Sequence, residues 1–199
     1  MNTVLNTNYK SNHILALNAA FLPSDWISQE EAVKYYAEDQ VIGELGESRF
    51  VFNGGTGRAG TRSVITVNSI IAVSGRVIPF DNRARFKLPK RGNRMLFLRD
   101  RCICAYCSVV LHPAELEREH VIPRNGGHNG RDTWENVVTA CRDCNARKGC
   151  RTPEKANMPL MYLPYSPSPY EHMIMRGRNI MADQMDFLLC SVPKGSRLR

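Results

Sequence analysis

Residues 102–150 read CICAYCSVVLHPAELEREHVIPRNGGHNGRDTWENVVTACRDCNARKGC. Six of the chain's seven cysteines fall in this stretch, and four of them form two pairs, Cys104 with Cys107 and Cys141 with Cys144, each pair separated by two residues. Two intervening residues let a tight knuckle aim both sulfurs at one ion, and two knuckles complete a tetrahedral thiolate shell typical of structural zinc. The competing accounts are buried free thiols and an iron–sulfur cluster. Cys102 competes with Cys104 as a ligand, whereas Cys150 and Cys190 lack a paired spacing. An odd cysteine count argues against a disulfide framework. Zinc ribbons place roughly 15–20 residues between their pairs. Here Cys107 and Cys141 are separated by 33 residues, so the clamp closes around a segment that it must hold in place.

That segment contains Glu119-His120, a carboxylate beside an imidazole, followed by Pro123, Arg124 and Gly126-Gly127, then Trp134-Glu135-Asn136. A neutral imidazole is suited to deprotonate water. Hard ions such as Mg²⁺ take oxygen ligands, which a carboxylate from Glu119 and an amide oxygen from Asn145 can provide. Asn145 and Lys148 lie three apart and share one face of a helix, which offers Lys148 to a phosphate. Trp134 reads as core packing, and His112 and His128 as bystanders.

The motifs R-D-x-C-x-C-x-Y-C, E-H-V-I-P-R-N-G-G, T-W-E-N-V-V-T-A-C and C-N-x-R-K-G, over about residues 94–153, resemble the HNH endonucleases of the ββα-metal class, in the subgroup with a four-cysteine zinc clamp. Small phage and bacterial HNH proteins are also similar, less specifically, at VLNTNY and the helix near residue 33. The resemblance implies a metal-dependent DNA endonuclease that hydrolyses phosphodiester bonds. His120 is then the general base, Glu119 and Asn145 hold one catalytic Mg²⁺ or Mn²⁺, and Asn136 fixes the loop and orients His120. Zinc on Cys104, Cys107, Cys141 and Cys144 is structural. Products with 5′-phosphate and 3′-hydroxyl ends are expected.

Three positions depart from the family pattern. Asn145 replaces a histidine, as in many members. Glu119 replaces the commoner aspartate, which moves the carboxylate. Ser108 stands where a glycine often follows the first knuckle, and is strained if its φ is positive. One geometric difficulty accompanies the motif. On a regular strand Glu119 and His120 point to opposite faces, so both serve one site only if the strand ends or bulges there, as Pro123 and Gly126-Gly127 suggest.

Outward from this core, charge is unevenly laid out. The 199 residues carry a net +8, from 27 Lys and Arg against 19 Asp and Glu, with a pI near 9.3. Residues 1–82 are net −2, 83–101 net +7, 102–141 net −2, 142–151 net +3 and 176–199 net +3. The basic blocks bracket the cysteine-rich segment and point to a polyanion. Arg91, Arg94, Arg99, Arg124, Arg147 and Lys148 are the candidate nucleic-acid contacts, with Phe86, Leu88, Met95, Leu96 and Phe97 forming the buried side of an element with one basic face.

The expected fold class is α+β: a ββα-metal core over 102–158, preceded by a mixed α/β region at 1–82 and a basic connector and helix at 83–101. An extension at 159–199, rich in Pro and Tyr, is expected to run extended over the surface, with a last helix near Ala182–Leu189 packing back. In the first region, strands are expected at Thr3–Leu5, Ile14–Leu17, Arg49–Phe52 and Ser63–Val73, with Asn53-Gly54-Gly55 as a turn. Ser28 and Glu31 form a capping box for a helix to about Tyr36, its buried face made by Val33, Tyr36 and Ala37. No span approaches the ~20 apolar residues of a membrane helix, and the start lacks a signal-peptide plan, so a cytoplasmic protein of a bacterial cell or phage-infected host is expected. One HNH site cuts one strand, so a double break needs a homodimer or a second event. The alternatives are a non-catalytic zinc-stapled nucleic-acid-binding module and an RNA-directed nuclease.

Overall fold

The computed structural model describes residues 4–5, 13–74 and 87–199. Thr3, Phe86 and all but Val4 and Leu5 of the VLNTNY stretch, named above, lie outside the described residues. The chain divides into two compact units, one of Met1–Asn82 with Arg176–Ser191, the other of Arg83–Met175 with Val192–Arg199.

The first unit is a five-stranded sheet of β1 (Val4–Leu5), β2 (Ile14–Leu17), β3 (Pro23–Ile27), β4 (Val41–Thr56) and β5 (Arg62–Val73), ordered β1-β4-β5-β2-β3. Val67, Ile71 and Val73 of β5 meet Ile14, Ala16, Ile27 and Phe50 in one core, as the period of two in a strand requires. Helix α1 (Gln29–Ala37) packs on this face and starts where the Ser28 hydroxyl accepts the Glu31 N–H at 3.1 Å. Its inward residues are Ala32, Val33, Tyr35 and Tyr36. Ala37 is exposed, which shifts the expected face by part of a turn.

The hairpin turn also differs from expectation. Asn53, Gly54 and Gly55 stay within β4, and the chain reverses at 57–61, where Gly57 and Thr61 pair and Gly60 has φ +76°. A side chain at Gly54 would meet the Ser63 hydroxyl at 2.1 Å. This glycine therefore serves a close cross-strand approach rather than a turn.

The tail has no helix or strand over 159–168 and then forms two helices, an unexpected one at Pro169–Arg176 and a last one where it was expected. The last helix, α6 (Ala182–Cys190), belongs to the first unit. Its Asp183 carboxylate accepts from the N–H groups of Glu47 and Ser48 at 2.9 Å and from the Ser69 hydroxyl at 2.5 Å, where β4 bulges at Gly46. The extended reading also missed Met173 and Met175, which are buried in the second unit. Proline spacing suggested a surface run, but Pro169 begins a helix, where its missing N–H costs nothing.

The second unit contains α2 (Arg94–Arg99), a two-stranded antiparallel sheet of β6 (Leu116–His120) and β7 (Val137–Cys141), then α3 (Arg142–Lys148), α4 (Pro153–Ala156) and all but the last residue of α5 (Pro169–Arg176). The register is unbroken from Leu116↔Cys141 to His120↔Val137. Cys141 both ends β7 and caps α3, its sulfur accepting the Cys144 N–H at 3.4 Å. The result is a ββα core beside a four-cysteine cluster. Leu88, Leu96, Phe97, Leu116, Trp134, Val137 and Met175 pack behind it, so Trp134 is core.

Candidate active site

Two knuckles build the metal clamp. Ile103 bridges Val110, the Cys104 N–H donates to the Val109 carbonyl, and the Ala105 N–H donates to Thr139 of β7 at 2.8 Å. This hairpin needs one left-handed residue, and Ser108 takes it at φ +60°. An L-residue there costs about 1–2 kcal/mol, so the strain anticipated at the missing glycine is present. The Sγ atoms of Cys104, Cys107, Cys141 and Cys144 all lie within 4.8 Å of one another, with Cys107 and Cys141 at 3.9 Å. Four thiolates about 2.3 Å from one zinc would stand roughly 3.8 Å apart, so the donor set and its spacing fit that ion. Cys102 is outside the cluster and packs on the Leu96–Phe97 core. Burial pushes the Cys144 thiol up. Burial also raises Cys104, but the N–H groups of Cys141, Cys107 and Tyr106 outweigh it and bring that thiol down to about 7.

Strand β6 sorts the loop's polar residues onto two faces. Glu117 and Glu119 alternate towards α3: Asn145 donates from Nδ2 to Glu117 at 2.6 Å, and the Lys148 ammonium pairs with Glu119. Arg118 and His120 face the other way, where both meet Asp132: His120 Nε2 lies 3.1 Å from its carboxylate, and Arg118 contacts both carboxylate oxygens at 3.1 and 3.2 Å. The strand stops at His120, without a bulge. There Glu119 and His120 line one cleft of about 430 Å³ with Pro123, Arg124, Asn125, Gly149 and Cys150. Strand termination resolves the geometric difficulty: neighbours on opposite faces still reach one opening at the strand's end.

Asn136 ties the loop together. Its side chain accepts the Ile122 N–H at 2.9 Å and donates to the carbonyls of Ile122 and Arg131 at 3.0 and 2.9 Å. The Asn136 carbonyl takes the Val121 N–H, directly after His120. The group bonded to the His120 ring is Asp132.

Two expected phosphate contacts are corrected. Lys148 is fully buried, its ammonium bonded to the His120 carbonyl at 2.9 Å and paired with Glu119. Arg99 is also fully buried, against Asp100, Trp134, Val137 and Tyr165. Lys148 meets acceptors 28 and 29 residues away, and Arg99 pairs with adjacent Asp100 and with three distant carbonyls. Arg91, Arg94, Arg124 and Arg147 are exposed, with Arg94 also donating to the Met175 carbonyl.

The Lys148 pair carries a stability expectation. Removing one partner of a buried ion pair strands the other and costs about 3–5 kcal/mol. Lys148→Met should therefore lower the second unit's unfolding free energy by that amount in a urea melt, whereas the same change at exposed Arg147 should have little effect.

Asp132, Glu117, Arg118 and Asp100 are the polar residues that sequence reasoning passed over. Alternation along β6 is the signal for Glu117 and Arg118. Asp132 is twelve residues from His120, across the glycine-rich loop, and has no local signal.

Residues 104–161 match the family model of the HNH endonucleases. Over 51 residues the chain is 39% identical to the CRISPR-associated endonuclease Cas9 of Corynebacterium diphtheriae, a match that covers 26% of this chain and 5% of that protein. The chain thus spans only a small part of that relative's length. Among the described residues, no helix is long and apolar enough to cross a membrane. With two strands, a following helix, the cysteine clamp and the family match falling on one segment, residues 104–161 are an HNH endonuclease domain.

Proposed function

We propose that this protein is a metal-dependent DNA endonuclease in which His120 is the general base. The observation that carries the reading is His120 at the open end of β6, sharing a cleft with Glu119 and Arg124 inside an HNH domain. His120 takes a proton from water as the water oxygen attacks phosphorus and the bond to the 3′ oxygen breaks. The leaving oxygen gains a proton from solvent, His120 later returns its own to bulk water, and the ends are 5′-phosphate and 3′-hydroxyl. Asn136 holds the loop that follows the base.

Glu119 and Asn145 are the residues that would hold Mg²⁺ or Mn²⁺. Their donor chemistry fits: Asn145 bonds Glu117 through Nδ2, which leaves its Oδ1 outside that contact, and Glu119 pairs with the Lys148 ammonium through Oε1, which leaves Oε2 outside that pair. When bound, the ion would supply charge stabilisation to the phosphate and to the leaving oxygen. Arg91, Arg94, Arg124 and Arg147 contact backbone phosphates, a sequence-tolerant mode of binding.

Plasmid cleavage with Mg²⁺ or Mn²⁺ tests the reading. A positioned general base contributes about 10²–10⁴-fold, so His120→Ala should lose that much rate. Equal cutting by the two proteins would refute it. Binding without cutting by either protein would favour a zinc-stapled binding module, and preferred cleavage of an RNA competitor an RNA-directed nuclease.

A further inference from the structure

We propose that Asp132 is the positioning residue of His120, fixing which ring nitrogen is free to accept the proton, and that Arg118 is the clamp that holds Asp132 there. The inference rests on the reading of His120 as the base and names what sets its tautomer.

His120 Nε2 stands 3.1 Å from Asp132 Oδ1. An ionised carboxylate only accepts hydrogen bonds, so Nε2 carries the proton and Nδ1 keeps the lone pair. When Nδ1 takes a proton from water, the ring becomes an imidazolium whose Nε2–H still points at a negative charge. The proton stays on the ring, and Asp132 orients and stabilises without being protonated, the logic by which a carboxylate supports a histidine base in serine hydrolases.

An aspartate on a mobile loop could not do this, and Asp132 is about one-third exposed. Its constraint comes from Arg118. Besides the two contacts to Asp132, this guanidinium donates from Nη2 to the carbonyls of Pro89 and Gly92 at 2.8 and 3.0 Å and from Nε to Asn93 Oδ1 at 3.1 Å. All five N–H groups thus have fixed acceptors. A lone surface pair of arginine and aspartate is worth about 0–1 kcal/mol. Here one rigid fork joins the 89–93 segment to the loop carrying Asp132. Arg118 and His120, two apart on β6, reach the same carboxylate because they share a strand face. The His120 backbone is held from the other side by the Lys148 ammonium on its carbonyl at 2.9 Å. Ring and backbone are thereby fixed independently.

The test uses the zinc-loaded full chain with ¹⁵N-labelled histidine. Long-range ¹H–¹⁵N correlation distinguishes the two neutral tautomers, and His120→Ala assigns the ring among the five histidines. The wild type should show the proton on Nε2. Asp132→Ala should show both tautomers and lose kcat by about 10–100-fold, the scale seen when an orienting outer partner is removed, at unchanged KM for plasmid. Asp132→Asn, still an acceptor but uncharged, should keep the Nε2–H pattern and recover part of the rate. If Asp132→Ala does not fold, Asp132→Asn decides by a lowered kcat at wild-type KM. A wild-type ring protonated on Nδ1, an unchanged rate in the variants, or a loss confined to KM or to metal affinity would overturn the proposal. An inactive His120→Ala with a fully active Asp132→Ala would remove the positioning role alone, whereas a fully active His120→Ala would remove the endonuclease reading.

Discussion

Cys144→Ser is expected to release the clamp's metal and melt the HNH segment. The expectation follows from the cluster's geometry and from what lies between its halves. Four sulfurs within 4.8 Å of one another are a donor set that a single ion would hold together. Structural zinc in small zinc modules contributes about 10 kcal/mol or more, on the scale of a whole domain's stability. The two knuckles are separated by the chain segment that contains β6, His120, Asp132 and Asn136. Losing one knuckle leaves β6 and β7 as a two-stranded pair, which is marginal in water. Hydrogen exchange should therefore show protection lost at Val138–Ala140 and retained at Ile70–Ala72, whose core is built from β2, β4 and α1. Zinc content per chain should fall from one to none. A variant that keeps its zinc and its thermal midpoint would refute the clamp assignment.

How much of this was legible in the sequence depended on the range of the interactions. The knuckles are local, so spacing alone located them, and the same holds for the Ser28 cap, for α2 and for α6. The ββα order followed from motifs in sequence. What escaped was set by distant partners. Gly54 looked like a turn because its need for space comes from Ser63 across the hairpin. Met175 looked like surface tail because the core that buries it is contributed by residues between Leu88 and Val137. At the site, Glu119 and His120 were found by adjacency. The pairs that organise them, Lys148 with Glu119 and Asp132 with His120, join residues 29 and 12 positions apart and have no local signature. Charge counting failed in the block at 83–101 at Arg99, which it made a nucleic-acid contact and which is buried.

Arg99 is the sharpest case of that failure and carries the second large expectation: Arg99→Ala should destabilise the second unit by about 5 kcal/mol or more, the range of changes that break a buried network. The side chain is fully buried. Nε and Nη2 grip both oxygens of Asp100 at 2.8 and 3.0 Å, Nη2 also donates to Val137, and Nη1 donates to Trp134 and Tyr165. The Trp134 and Tyr165 rings lie 5.4 and 5.6 Å from the guanidinium carbon. Asp100 in turn accepts the Thr139 N–H of β7 at 2.9 Å and the Arg197 guanidinium at 2.9 Å. Arg99 therefore links α2 to the strand that bears the second knuckle. Truncation would leave three carbonyls and one carboxylate short of donors, at about 1–3 kcal/mol for each buried group. Lysine cannot substitute, because a point charge with three donors does not reproduce a five-donor fork, so Arg99→Lys should recover little. Exposed Arg91 supplies the contrast. Arg91→Ala should leave stability within about 0.5 kcal/mol and reduce the slope of log binding constant against log salt by about one unit for a lost phosphate contact. If instead Arg99→Ala keeps the wild-type melt and flattens the salt dependence, the guanidinium reaches DNA and the buried network is not what holds it.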